Sequence, residues 1–225
     1  MPGTEESSDP AAPAAHIDLR LMVVTDPAPR SGLPLRDVVE ACLRAGAGAI
    51  QLRDKTATDE SLYRQACELG DLAHEHGAIL IVNDRFDVAL AAGADGVHLG
   101  PGDLPIETVR LHAPDDFLIG FSTDQPVAGV LAANAGADYL GVGAVYGTTS
   151  KAGLADEAIG PERVGQVLHS AGLPGVGIGG ITPENAGAVF ATGAGVAVLG
   201  AVMHAADPSE AVRRLLEGAG ERERA

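Results

Sequence analysis

Ala92-Gly93-Ala94-Asp95-Gly96-Val97-His98-Leu99-Gly100 closes a helical stretch and opens a strand within one short run. Gly93 suits the left-handed position at a helix C-terminus, where a Cβ is penalised, and the aliphatic run behind it begins a strand at once. The same punctuation recurs at Ala45-Gly46-Ala47, Ala135-Gly136-Ala137 and Thr192-Gly193-Ala194. These points lie about two strand–helix pairs apart or more, too far and too little alike for a solenoid. Outward from them, short β-branched or aliphatic runs occupy 19–25, 49–53, 78–83, 96–100, 118–122, 138–143, 175–180 and 195–201. Helical stretches separate the runs. Residues 35–45 carry an apolar stripe of Val38, Val39, Cys42 and Leu43, and residues 60–76 form a second helix with Thr58 at its start. Thr182-Pro183-Glu184 reads as a cap with an N1 proline for a seventh helix. Eight βα units in one chain of this length predict a single (β/α)8 TIM barrel, parallel strands inside a ring of helices. A doubly wound open sheet is the alternative, but no GxGxxG follows the first strand.

Composition supports one domain and removes several functions. The 225 residues are 46% hydrophobic, enough for a substantial core. Aromatics are 3% and Trp is absent, so that core is aliphatic. Fifteen basic residues face 31 acidic ones, a net charge of −16. A surface this acidic repels phosphate backbones and has no cationic helix for an anionic membrane, so neither nucleic acid nor membrane is expected as a partner. An anionic ligand must then be held by a few local cations. Only two of the basic residues are lysines, Lys55 and Lys151. Cys42 and Cys67 form no CxxC or Cys/His cluster, which predicts two buried, reduced thiols and a cytoplasmic protein. Residues 1–16 are rich in Ala, Pro, Ser and Glu without a basic start or apolar run, so a disordered extension is expected there, the barrel over 17–218 and a solvated tail over 219–225.

In a βα barrel the chemistry gathers at the C-terminal strand ends. In Gln51-Leu52-Arg53-Asp54-Lys55, alternation turns Ile50 and Leu52 to the helices and Gln51 and Arg53 to the mouth. A guanidinium there offers bidentate hydrogen bonds to phosphate, with Lys55 as a mobile point charge, although a plain salt-bridged strand end reads the same way. The third strand ends in Asn83-Asp84, and the fourth leads through Pro101-Gly102 to Asp103. Each aspartate alone reads as a helix cap. Together, beside Arg53 and Lys55, they read as a metal–diphosphate site, for which oxygen ligands favour Mg²⁺. Ser122 puts a hydroxyl at the fifth strand end, and Gly147-Thr148-Thr149-Ser150-Lys151-Ala152-Gly153 makes a hydroxyl-rich loop suited to a lid. Gly179-Gly180 and Leu199-Gly200 let backbone N–H groups approach a phosphate after the last two strands.

This ordered set resembles the thiamine-phosphate synthase family: Gln51 to Lys55, Val82-Asn83-Asp84, Gly96 to Gly100 with Asp103, Gly141-Val142-Gly143 through Lys151, and Ile178-Gly179-Gly180-Ile181. The resemblance spans about residues 19 to 216. It implies a transferase that joins a hydroxymethylpyrimidine diphosphate to a thiazole phosphate and releases pyrophosphate. By matched position, Arg53, Lys55, Asn83 and Lys151 would hold the diphosphate, Asp84 and Asp103 would bind Mg²⁺, Ser122 would meet the leaving group and Gln51 the pyrimidine. Thr148, Thr149 and Ser150, with Gly180, Leu199 and Gly200, would receive the thiazole phosphate. The family usually has a serine where Gly200 stands and often a histidine where Asp124 stands.

The expected partners are these two small molecules, with assembly into a homo-oligomer left open. No Ser-His-Asp or Cys-His nucleophile is evident, so catalysis would be positional and electrostatic. A thiazole tautomerase of the related barrel branch would need a general base near the fifth or sixth strand, which neither Asp124 nor Ala144 supplies. A non-catalytic regulator would not need both aspartates and both lysines, and a phosphosugar isomerase would not explain Asp84 with Asp103. His98 reads as a packed or hydrogen-bonded barrel residue. His74 and His76 suit the negative end of a helix dipole.

Overall fold

Leucine, valine and isoleucine fill the runs between the glycine stops, and in the computed structural model, which describes residues 17–147 and 158–220, they form eight short strands. These are β1 Leu21–Val24, β2 Ala49–Leu52, β3 Ile79–Asn83, β4 Gly96–Leu99, β5 Leu118–Ser122, β6 Tyr139–Val142, β7 Gly175–Ile178 and β8 Gly195–Val198. Each pairs in parallel with the next, and β8 returns to β1 through Leu21 opposite Val196, closing the barrel. The helices between and after them are α1 Leu35–Arg44, α2 Asp59–Glu75, α3 Phe86–Ala92, α4 Ile106–His112, α5 Pro126–Ala135, α6 Pro161–Ala171, α7 Ala186–Phe190, α8 Gly200–Met203 and α9 Pro208–Glu217. This is a single (β/α)8 TIM barrel.

Alternation along each strand makes two cores. Val23, Ile50, Leu52, Leu80 and Val82 face outward, packed against the helices in a layer that includes Val38, Val39, Leu69 and Val212. Met22, Val24, Ala49, Ile81, Tyr139, Val176 and Ala197 fill the barrel interior. The expected helix stops hold: Gly46, Gly93, Gly136 and Gly193 all have positive φ. Thr58 caps α2, accepting the Ser61 N–H on Oγ1 at 3.3 Å.

Two expectations change. The seventh helix begins at Ala186 rather than at Pro183, because Thr182 does not cap it; the Thr182 N–H donates to Asn185 Oδ1 (2.8 Å), and the chain makes a turn first. Cys42 is buried, whereas Cys67 lies only partly buried on α2; both are free thiols. Burial pushes the Cys42 thiol up to about 12. The expected extension 1–16 and residues 221–225 of the expected tail lie outside the described residues, while Ala219 packs against the core. No helix among the described residues is long and apolar enough to cross a membrane.

Candidate active site

Side chains too small to fill the barrel leave a cavity of about 680 Å³ at the C-terminal ends of the strands. Its walls include Gln51, Arg53, Lys55, Asn83, Asp84, Ser122, Gly180, Leu199 and Gly200. Nine of the residues expected at the site therefore converge on one opening. Asp103 stands behind the wall, tied to Gly100, which does line it. Thr148, Thr149, Ser150 and Lys151 lie outside the described residues.

The end of β2 is set by a residue not anticipated from sequence. Thr25, fully buried, accepts the Arg53 N–H on Oγ1 at 2.9 Å and donates its own hydroxyl to the Arg53 carbonyl at 3.3 Å. This clamp fixes the backbone from which the guanidinium enters the mouth. Gln51 points inward and is buried, its Nε2 3.4 Å from Met22 Sδ. Asp54 turns away from the site: Oδ1 accepts from the Thr56 and Ala57 N–H groups. Partial burial opposes its charge, but those hydrogen bonds win and hold its carboxyl below the ordinary value.

Neither Asp84 nor Asp103 caps a helix. Asp84 has φ of 61°, the left-handed region, and its N–H donates to the His98 carbonyl (2.9 Å), so the carboxylate swings toward the mouth. Lys55 Nζ lies 3.5 Å from Asp84 Oδ2. Asp103 Oδ2 accepts the Gly100 N–H at 2.6 Å, while α4 starts after Pro105 without a side-chain cap. Burial, followed by the charge and hydrogen bond of Asp103, pushes the Asp84 carboxyl above its usual value despite the opposing pull of Lys55. Two carboxylates forced together in this way favour a shared cation. No third His, Cys, Asp or Glu joins them among the described residues. Two carboxylate oxygens, with the remaining positions left to phosphate oxygens and water, suit Mg²⁺ better than a caged transition metal.

A hydrogen-bonded chain crosses the barrel below the mouth. Tyr139 OH lies 3.0 Å from His98 Nδ1, and His98 Nε2 lies 2.8 Å from Ser122 Oγ. Tyr139 is fully buried; that burial, with the nearby Asp138 charge, raises its pKa, so it stays a phenol. A buried phenolic proton needs an acceptor, and His98 Nδ1 is in reach. In the tautomer that accepts it, Nε2–H faces Ser122 Oγ and the serine proton can point into the cavity. His98, read from sequence as a packed or hydrogen-bonded barrel residue, bonds both Tyr139 and Ser122 and so orients the serine. Gly120 makes the contact possible, since a Cβ there would stand 2.2 Å from Tyr139 Cζ and 2.5 Å from His98 Nδ1.

On the far strands, Gly179 and Gly180 both have positive φ, and a Cβ at Gly180 would meet the Gly147 carbonyl at 2.7 Å. Asn185 locks that turn by donating to the Gly180 carbonyl (3.0 Å). Arg30, Thr123, Asp124 and His204 also line the cavity without having been expected to bind there. Gly120 lies between His98 and Tyr139 only through strand pairing, so no sequence signal marked Tyr139.

The family model described as thiamine monophosphate synthase matches residues 21–202. A thiamine-phosphate synthase from Natronomonas pharaonis is 47% identical over 202 residues, covering 89% of this chain and 94% of the relative. One from Methanospirillum hungatei JF-1 is 44% identical, covering 89% and 98%. The solved thiamine phosphate pyrophosphorylase from Pyrococcus furiosus superposes with a TM-score of 0.82 at 40% identity, covering 91% of this chain and 97% of that one. With the barrel, its mouth and these relatives in agreement, the chain belongs to the thiamine monophosphate synthase family.

Proposed function

We propose that this chain is a thiamine-phosphate synthase, joining a hydroxymethylpyrimidine diphosphate to a thiazole phosphate and releasing pyrophosphate. The observation that carries the reading is Arg53, Lys55 and Asp84 on the cavity wall at adjacent strand ends, with Asp103 against Asp84 from behind. Cations and a dicarboxylate side by side suit a diphosphate and the metal that accompanies it, and little else.

Arg53, Lys55 and Asn83 bind the diphosphate oxygens, and by matched position Lys151 would too. Asp84 and Asp103 would hold Mg²⁺, which would supply positive charge against that of the departing diphosphate. Ser122, its proton freed by His98, donates to the leaving group, and Gln51 lies against the pyrimidine. As the carbon–oxygen bond breaks, the aminopyrimidine ring carries the developing positive charge. The thiazole nitrogen then forms the new carbon–nitrogen bond, and the bonding pair of the broken bond leaves with pyrophosphate. The thiazole phosphate rests near Gly180, Leu199 and Gly200, and by matched position Thr148, Thr149 and Ser150 would also bind it. No protein nucleophile takes part. The chain works by position and charge, in the cytoplasm.

Incubation of the protein with both substrates and Mg²⁺, followed by chromatography, is expected to yield thiamine phosphate and pyrophosphate in equal amounts. Absence of both products overturns the reading.

A further inference from the structure

The loop between β1 and α1 is stitched to the turn after β8 at two points. The Arg30 N–H donates to the Met203 carbonyl (2.9 Å), and Asp26 Oδ2 lies 3.4 Å from His204 Nε2. Both members of the Asp26–His204 pair are partly exposed, which places the pair at the rim of the cavity that Arg30 and His204 line. Gly180, Leu199 and Gly200 line that same cavity. Gly200 presents no side chain, and a Cβ built on it would stand 3.4 Å from His204 Nδ1. With Nε2 turned to Asp26, Nδ1 is the nitrogen left on the Gly200 side.

We propose that His204, oriented by Asp26, is a binding residue for the phosphate monoester of the thiazole substrate. The inference rests on the functional reading above and adds a residue to that site. Glycine backbones at the ends of β7 and β8 can donate hydrogen bonds but carry no net charge. In a chain of net charge −16, a phosphate dianion there needs a local cation. Arg53 and Lys55 serve the diphosphate; Arg30, which lines the same rim, supplies one permanent charge, and the imidazole beside Gly200 adds a directed donor. Set between two acceptors, the Asp26 carboxylate and a bound phosphate, the imidazole would present Nε2 to Asp26 and Nδ1 to the phosphate. Asp26 fixes the ring plane, as a carboxylate behind a ligating histidine does, and the Arg30–Met203 bond holds the loop that carries Asp26. His204 thereby supplies the polar group that Gly200 lacks.

Steady-state kinetics on the full chain with Mg²⁺ test this, using as second substrate either the thiazole phosphate or the same thiazole as its free alcohol. His204→Ala is expected to raise KM for the thiazole phosphate about tenfold or more, the loss of one charge-assisted hydrogen bond. KM for the pyrimidine diphosphate and the rate with the free alcohol should not move. Asp26→Asn should shift KM in the same direction by less, and it carries the test should His204→Ala fail to fold. Gly200→Ser in the His204→Ala background should recover part of the loss, because its hydroxyl enters the space the ring vacates. An unchanged KM for the thiazole phosphate in both single variants, or an equal loss with the free alcohol, overturns the proposal while leaving the synthase reading intact. Failure of the wild-type chain to make thiamine phosphate strikes the synthase reading instead.

Discussion

Asp84 shows what a functional group costs the fold at the scale of one residue. It sits at φ of 61°, which non-glycine residues seldom adopt and which asparagine and aspartate tolerate best. Its carboxyl is raised by burial and by Asp103, against the opposing pull of Lys55. A carboxyl whose pKa is higher folded than unfolded binds more protons in the native state, so stability falls as pH rises through that window. Below the unfolded value both states are protonated and the penalty vanishes. Asp84→Asn keeps the left-handed backbone and removes the charge. Without metal or substrate, the variant is expected to melt at a higher temperature than wild type at pH 7 and to lose that advantage in strongly acidic buffer. The broken ion pair with Lys55 weighs little against this, because the lysine side is exposed and the contact is long at 3.5 Å. Pyrophosphate release should fall by about 10² or more, as for the loss of one preorganised charge contact. Calorimetry across pH and a coupled pyrophosphate assay check the two halves separately, and a lower melting temperature at pH 7 would refute the strained-carboxylate account.

Among elements, β4, β5 and β6 show why some of the site was hidden in the sequence. Register puts Gly120 opposite both His98 and Tyr139, and the missing side chain lets those two meet. Gly120→Ala is expected to cost about 1–3 kcal/mol by overpacking and to cut turnover by pushing His98 off Ser122. Gly187→Ala on α7, where a new Cβ meets only the Gly218 carbonyl at 3.6 Å, serves as the neutral control; thermal melts and kcat of the two variants decide it. The barrel itself was legible because its signals are local: a glycine stop, an aliphatic run, a loop, repeated. Arg53, Lys55 and Asp84 were legible because they directly follow strands. Thr25, Tyr139 and His204 were not, since each acts on a residue of another strand or loop, and only closure of the barrel brings the partners together. Thr182-Pro183 misled for a related reason. Its sequence matches a helix start, but Asn185 takes the Thr182 N–H and the Gly180 carbonyl to shape a turn at the mouth.

For the whole molecule, the net charge of −16 divides into an outside and a mouth. Most arginines with described partners are outside and structural: Arg110 binds Asp138 and the carbonyls of Phe117 and Gly136, Arg85 joins Asp59 to Asp87, and Arg214 reaches Glu184. Arg53 and Lys55 instead face the cavity. Apart from the part-buried Arg110–Asp138 pair, the outside pairs are exposed on at least one side and contribute about 0–1 kcal/mol each, weakening with salt. Repulsion among the unbalanced carboxylates acts over the whole surface and also weakens with salt, as the Debye length shortens from about 30 Å at 0.01 M to about 10 Å at 0.1 M. The two effects oppose each other, and the excess of 31 acidic over 15 basic residues gives the larger weight to repulsion. The melting temperature is therefore expected to rise as KCl is added from about 0.01 M to about 0.5 M, most steeply at the low end where the screening length changes most. NaCl at equal ionic strength should give the same curve if screening is the cause. A melting temperature that falls over this range would mean that the ion pairs, and not the carboxylate excess, dominate the surface.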